Sequence, residues 1–309
     1  MTTTDALETR ESAASAPPFP PTASPRGALA RFGRRRAGLL GLVVLALLAS
    51  LAVGARVIAP QDPLAQNRTE QFRPPSLAHP FGTDEFGRDI LSRVVYGARI
   101  SLLTGAVAVL IGGCLGVPLG LLGGFFGGWV DAITMRVLDF VLAVPAILLA
   151  MVIIAVLGPG SFNAMLAVGV VSVPSFARLA RASTLTLKER EFVVATRALG
   201  VGPGYLIFRT ILLNALTPIV VQTAVTAAVA MLLEAALSFL GLGTQPPAPS
   251  WGSMLNTGRS FLHHAPWYGL FPGVAITASV LSLNALADAL QAVVDEGGAG
   301  RLTAAPRTA

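Results

Sequence analysis

The stretch KEREFVVATRALGVGPG, residues 188–204, is a charged interruption between two long apolar runs of the chain. At about 1.5 Å of rise per residue, residues 187–199 would form a helix of roughly 20 Å. Its predicted apolar stripe, with i, i+4 and i+7 spacing, consists of Phe192, Thr196 and Leu199. Gly200 stands where a left-handed residue usually ends a helix, and Pro203 opposes continuation. The stretch therefore predicts a short amphipathic helix that ends at Gly200.

The rest of the chain has the composition of a membrane protein. Of its 309 residues, 53% are hydrophobic and only 12% are charged, whereas about a quarter of the residues in soluble domains are charged. The formal charge of +6 does not indicate nucleic-acid binding, because the arginines flank apolar runs and form no basic face with aromatic residues. Cys114 is the only cysteine and lies within an apolar run, so no intrachain disulfide is possible.

Long apolar runs predict six membrane-spanning helices, since roughly 20 apolar residues cross the hydrocarbon core. The predicted spans are Ala37–Ala55, Ile100–Gly124, two runs between Phe140 and Ala177 that LGPG at 157–160 separates, Leu212–Leu240 and Leu270–Val294. Residues 60–98 are polar and predict an outer segment. On the second span, close packing against another helix is predicted by glycines four apart, namely Gly112, Gly116, Gly120 and Gly124.

The distribution of basic residues predicts the orientation, because cytoplasmic segments carry the excess of Lys and Arg. With the N-terminus inside, fifteen basic residues fall on the inner side and seven on the outer side. Six spans then place both termini and residues 188–204 in the cytoplasm.

The sequence predicts neither an ATPase nor an enzyme. Its only lysine, Lys188, follows no glycine-rich turn, so a phosphate-binding P-loop is excluded. The three histidines all fall in predicted outer segments, and His263 and His264 lack other ligands at metal spacing. On composition alone, residues 188–204 could be a solvated connector, a docking element or a helix bound to the membrane surface.

Several motifs point to one family. ATRALG at 195–200 and ILLN at 211–214 resemble the EAA loop of the membrane subunits of ATP-binding-cassette importers. HPFGTDEFGRDILSRVVYGARISL at 79–102 and EAALSFLGLGTQPPAPSWG at 234–252 resemble the C-type permease of the dipeptide, oligopeptide and nickel branch. The sequence departs from the usual loop pattern at Val194, Thr196, Thr210 and Leu213.

The resemblance implies an all-α membrane protein with six transmembrane helices and a cytoplasmic coupling-helix loop between helices 4 and 5. It implies a disordered cytoplasmic tail over 1–36, a first helix and outer segment over 37–98, a type-1 permease domain over 99–295 and a cytoplasmic tail over 296–309. The implied ATPase-coupling residues are Phe192, Ala195, Thr196, Arg197, Ala198, Leu199 and Gly200. The implied partners are a homologous B-type permease, two ATPase subunits that bind the ATP, and an extracytoplasmic solute-binding protein. No cofactor or metal is expected in this chain itself.

Three polar residues in or near the spans are candidates for a translocation or gating role. They are Asp139, Glu234 and Asn284. Two roles are open for Glu234. In the first it is structural and pairs with backbone amides or with Arg259, and in the second it relays protons. Asp139 is expected to pair with Arg136, and Asn284 either bonds across helices or lines a pathway.

Proline and aromatic residues complete the predictions. Three prolines interrupt spans three to five and are candidate bend points, namely Pro145, Pro174 and Pro218. An outer interfacial belt is predicted for Trp251, Trp267 and Tyr268. A secondary transporter driven by an ion gradient and a structural or assembly factor remain rival functions, and the solute is left open among peptides, nickel, glutathione and similar cargo.

Overall fold

The computed structural model describes residues 35–302, with side chains described as far as residue 293, and the named secondary-structure elements in this part of the chain are all helical. The predicted tails over 1–36 and 296–309 lie largely outside the described residues. The helices are α1 (Arg36–Val53), α2 (Ala55–Ile58), α3 (Ile90–Phe126), α4 (Gly128–Ala143), α5 (Ala146–Leu157), α6 (Ser161–Leu187), α7 (Glu191–Ala198), α8 (Pro203–Phe239), α9 (Trp251–Gly258) and α10 (Trp267–Leu302). Within α3 and α8, single π-helical turns occupy Gly112–Gly116 and Leu206–Ile211.

Five of these helices, α1, α3, α6, α8 and α10, are long and apolar enough to cross a membrane. Neither α4 nor α5 is long enough to qualify alone, and the two pass together only as a bent pair whose halves meet at 91°. Pro145 lies at this break, and Val144 before it is extended (φ −98°, ψ 131°), as expected for a residue that precedes proline. The described residues therefore contain five continuous candidate spans and one bent pair, and Pro145 is confirmed as a bend point.

Three predicted span starts were wrong, in each case because the helix begins before its apolar run. The second span begins at Ile90 rather than Ile100, since the Asp89 carboxylate caps it by accepting a 2.7 Å hydrogen bond from the Ser92 N–H. The third begins at Gly128 rather than Phe140, and the fifth at Pro203 rather than Leu212. In these extensions the charged residues pair within the protein or lie at its surface, so hydropathy alone does not reveal them.

The predicted close packing at the glycines of the second span is confirmed, and the partner helix is α6. A Cβ added at Gly116 would lie 2.5 Å from the Val173 carbonyl oxygen and 2.8 Å from the Phe176 Cβ. Added Cβ atoms at Gly112 and Gly124 would also fall within 3.0 Å of α6 side chains. Only glycine permits this separation, because any side chain would overlap the facing helix.

The predicted outer segment before α3 is a compact polar layer. Arg88 donates to the buried Asp84 at 2.6 Å, and Arg93 lies 3.4 Å from the same carboxylate. Trp251 is buried beneath this layer and donates its Nε1–H to the Val94 carbonyl at 2.8 Å. Tyr268 is likewise buried, so the predicted interfacial belt is wrong for these two residues, which are part of the packed interior.

Candidate functional site: the loop between α6 and α8

The loop between α6 and α8 contains the short helix α7, of eight residues. The sequence predicted one helix over 187–199, but α6 ends at Leu187 and Arg190 is extended (φ −73°, ψ 143°) before α7 begins. Gly200 then adopts a left-handed conformation with φ of 78°, and its N–H donates to the Arg197 carbonyl at 3.0 Å. The predicted helix stop is therefore present, on a shorter helix than expected.

Val193 fixes α7 to the helical bundle. Its side chain is 0% exposed and belongs to an apolar cluster with Phe176 of α6 and with Leu206 and Ile207 at the start of α8. The sequence analysis missed Val193, because the stripe of Phe192, Thr196 and Leu199 looked like the packing face. Val193 lies about a quarter-turn away from that stripe, and a single buried residue in eight gives no periodic signal.

The predicted coupling residues lie on the outward side of α7. Phe192 is 37% exposed and Leu199 is 83% exposed. Ala195, Arg197, Ala198 and Gly200 are exposed as well, and Thr196 is half-buried. Large apolar side chains close to them in sequence are also exposed, namely Val194 on α7 and Tyr205 and Phe208 at the start of α8. We call the five large apolar residues Phe192, Val194, Leu199, Tyr205 and Phe208 the coupling surface, after the role that the sequence predicts for this loop.

Polar contacts tie this loop to the end of α3, and tie the preceding helix α6 to α4. The Lys188 ammonium donates to the Gly124 carbonyl at 3.1 Å, where it neutralises part of the negative end of the helix. The Arg197 guanidinium lies 5.6 Å from the centre of the Phe125 ring. The Arg181 fork binds both oxygens of Asp131 at 2.5 and 2.6 Å, a bidentate geometry that fixes orientation as well as charge. The loop is therefore held on a rigid base.

The three candidate pathway residues occupy separate settings. Asp139 pairs with Arg178 at 2.7 Å, so the predicted pairing with Arg136 is wrong. Asn284 is exposed on α10. Nothing in the structure brings these two side chains to Glu234.

Glu234 is enclosed by α3 and α8 and is only 1% exposed. It accepts hydrogen bonds from the Ser238 hydroxyl at 2.7 Å and from the Ser101 hydroxyl at 3.4 Å. The predicted pairing with Arg259 is wrong, because that guanidinium lies over the Phe239 ring. The two hydroxyl groups supply the hydrogen bonds that a buried carboxyl group requires.

Among the described residues, no group of three His, Cys, Asp or Glu side chains could hold a metal ion. His263 and His264 are exposed. His79 is buried between two carboxylates, with its ring nitrogens 3.1 Å from Asp89 and 3.4 Å from Glu70. It belongs to the packed outer layer.

Comparison with known proteins identifies the family. Residues 116–297 match the family described as binding-protein-dependent transport system inner membrane component, and residues 26–75 match the N-terminal transmembrane domain of oligopeptide transport permease C. The dipeptide transport permease DppC of Alkalihalophilus pseudofirmus is 42% identical over 87% of this chain and 89% of its own length. The glutathione transport permease GsiD of Pectobacterium atrosepticum is 41% identical over 86% and 88% of the two chains.

A further relative and a solved structure agree with this assignment. The probable D,D-dipeptide transport permease DdpC of Escherichia coli is 40% identical over 84% of this chain and 87% of its own length. The fold is that of a chain of the inward-facing MetNI methionine ABC transporter, with a TM-score of 0.54 at 19% identity over 66% of this chain and 97% of that one. The relatives are transport permeases of the inner membrane, not enzymes. The chain therefore belongs to the binding-protein-dependent transport system inner membrane components and is a multi-pass permease subunit of an ATP-binding-cassette importer.

Proposed function

We propose that this permease carries short peptides into the cell. The relatives named above transport dipeptides, D,D-dipeptides or glutathione, and these solutes share a peptide linkage between free amino and carboxyl groups. None of these names refers to nickel, so a peptide-like solute is the better-supported cargo. A solute-binding protein would deliver the peptide to a pore formed with a homologous B-type permease.

ATPase subunits supply the energy through the coupling surface in this proposal. The chain has no P-loop of its own, so the nucleotide must be bound by partner subunits and the energy must arrive through a protein contact. The observation that carries the proposal is the setting of α7, which one buried valine holds on the bundle while large apolar side chains face outward. Exposed apolar patches of this kind mark protein interaction sites.

The proposed orientation places the coupling surface and both termini in the cytoplasm. Arg178, Arg181, Lys188, Arg190 and Arg197 gather at the end of the bundle that carries α7, and cytoplasmic segments carry this excess of basic residues. The compact polar layer before α3 then faces the solute-binding protein on the outside.

Transport by the reconstituted complex tests the proposal. The complex of both permeases and two ATPases, in liposomes with the solute-binding protein, should accumulate a labelled dipeptide only with hydrolysable ATP and should be insensitive to a proton ionophore. Uptake that needs no ATPase and collapses with the ionophore would refute it and favour a secondary transporter.

A matched pair of variants tests the coupling surface itself. Leu199→Asp places a charge on the exposed apolar patch and should weaken binding of the ATPase subunits to the permease pair at least tenfold. Leu77→Asp makes the same change at a fully exposed leucine of the outer segment and should leave ATPase binding unchanged. Equal ATPase binding by both variants would exclude α7 as the docking site.

A further inference from the structure

The break between α4 and α5 borders a cavity with a mainly apolar lining and four polar side chains, and none of the candidate pathway residues lines it. The cavity has a volume of about 280 Å³ and is lined by the break itself, by α6 and by α8. Water occupies about 30 Å³ per molecule in the liquid, so this space holds roughly nine waters. Its polar side chains come from two helices and are Ser172, Ser175, Gln222 and Thr226. No charged residue lines it.

The cavity lies near the middle of the membrane-spanning helices. Gln222 is close to the midpoint of Pro203–Phe239, and Ser172 and Ser175 are close to the midpoint of Ser161–Leu187. Four polar side chains at this depth, two on each of two helices, are costly against lipid. Such side chains are expected to line a water-filled space or a protein contact.

The backbone at the break needs a polar environment as well. Pro145 has no N–H, and the N-terminus of α5 has no side-chain cap. The first N–H groups of a helix have no acceptor within that helix. Exposed backbone of this kind occurs at membrane depth only where it is buried in protein or lines an aqueous cavity, and transporters place broken helices at their substrate sites.

Hydrogen-bonding capacity remains available in the cavity. The Gln222 amide donates to the Thr226 hydroxyl oxygen at 3.1 Å. This bond leaves the Gln222 carbonyl oxygen as an acceptor and the Thr226 hydroxyl hydrogen as a donor. Ser172 uses its hydroxyl hydrogen on the Val168 carbonyl at 2.8 Å. The second N–H of the Gln222 amide is also unused, so the pair Gln222 and Thr226 offers one carbonyl acceptor and two donors.

We propose that this cavity is a segment of the translocation pathway, in which Gln222 and Thr226 hydrogen-bond the peptide linkage of the passing solute. The inference rests on the proposed function and adds the contacts that recognise the cargo inside the membrane. A neutral acceptor and donor match the C=O and N–H of a peptide group, and the absence of charge on the lining avoids trapping either charged end. Apolar neighbours such as Val225 and Val229 tolerate varied side chains on the peptide.

Thiol labelling in the assembled complex tests whether the cavity is aqueous. Cys114 is the only cysteine of this chain, so Cys114→Ser combined with Gln222→Cys gives one thiol at the site once the partner subunits are cysteine-free. A membrane-impermeant methanethiosulfonate reagent should modify this thiol in at least one nucleotide state, and excess dipeptide should slow the reaction. A thiol that stays unmodified in every nucleotide state would show that the partner permease fills the cavity, and would overturn the proposal.

Uptake by matched threonine variants tests the contact with the peptide. Thr226→Val removes a hydroxyl group that lines the cavity, and Thr223→Val removes one that bonds the Val220 carbonyl on the same helix outside the lining. Thr226→Val and Gln222→Leu should lower dipeptide uptake about five- to tenfold with normal insertion and ATPase binding, whereas Thr223→Val should transport normally. If all three variants take up dipeptide normally and wild-type uptake depends on ATP, this inference is wrong but the proposed function stands. If wild-type uptake does not depend on ATP, the proposed function itself is wrong.

Discussion

Replacing Gly200 by valine is the sharpest perturbation of the coupling loop. Gly200 ends α7 with φ of 78°, and a Cβ at this position would meet nothing within 4 Å. The substitution therefore introduces no clash with the described residues of this chain, and its effect on the loop itself comes from the backbone conformation. An L-residue in the left-handed region costs roughly 1–2 kcal/mol, with β-branched residues at the unfavourable end.

This cost sets the size of the expected effect. If the strain opposes the docked conformation of the loop, 1–2 kcal/mol corresponds to about a 5- to 30-fold loss in affinity for the ATPase subunits. Asparagine tolerates the left-handed region, so Gly200→Asn should recover most of the loss. Gly202 is the matched control, because it has φ of −66° and ψ of 157°, and a Cβ there also meets nothing within 4 Å.

The assay measures ATPase binding to the permease pair in nanodiscs, together with the ratio of peptide transported to ATP hydrolysed. Gly200→Val should lower both quantities, whereas Gly202→Val should match the wild type, since the extended conformation before Pro203 accepts valine. Wild-type coupling in Gly200→Val, or equal damage in Gly202→Val, would refute the argument that the left-handed stop positions the coupling surface.

Three further predictions concern packing and the buried carboxyl group. Gly116→Ala should destabilise the complex by about 1–3 kcal/mol, because its Cβ would overlap the Val173 carbonyl of α6. Thermal unfolding in detergent measures this loss. The control Gly113→Ala should be neutral, because its Cβ would meet nothing within 4 Å. Val193→Ala should release α7 at a cost of about 2 kcal/mol and raise the rate of limited proteolysis in the loop, while Val194→Ala, at a half-exposed side chain, should not. Glu234→Gln keeps a hydrogen-bonding group beside Ser101 and Ser238. This variant should preserve ATP-driven uptake with an unchanged pH profile. Loss of uptake or a changed pH profile would instead indicate that Glu234 is an essential proton relay.

The sequence predicted those features of the fold that depend on local patterns. Glycines four residues apart correctly predicted a close helix contact, although the pattern could not name α6 as the partner. The run from Phe140 to Ala177 showed where helices lie but not that α4 begins at Gly128, because Asp131 and Asp139 pair with Arg181 and Arg178 across the fold. Such pairings join residues far apart in sequence. A hydropathy profile does not detect them, so it ends the predicted span at the charged residues.

The same limit applies to the candidate sites. Gly200 could be predicted because a helix stop is a local event, whereas Val193 could not, because its burial depends on Leu206 and Ile207 of the next helix. Glu234 attracted attention as an ionisable residue in an apolar run, yet the structure satisfies it with two hydroxyl groups. The cavity beside Pro145 has a mainly apolar lining, and its four polar side chains are serine, threonine and glutamine residues from two helices, whose convergence only the fold reveals.

The course of α8 joins the two proposed sites. The helix begins at Pro203, three residues after Gly200, and its first turns pack on Val193 of α7. The same helix then passes Gln222 and Thr226 in the cavity and reaches Glu234 beyond it. On the facing helix α6, Phe176 packs in the cluster around Val193 while its neighbour Ser175 lines the cavity.

A displacement of α7 by the ATPases would therefore act on two helices that also form the cavity wall, because packed helices move as bodies and do not deform continuously. The hydrogen-bonding groups that meet the peptide would then shift together with the loop that meets the ATPase.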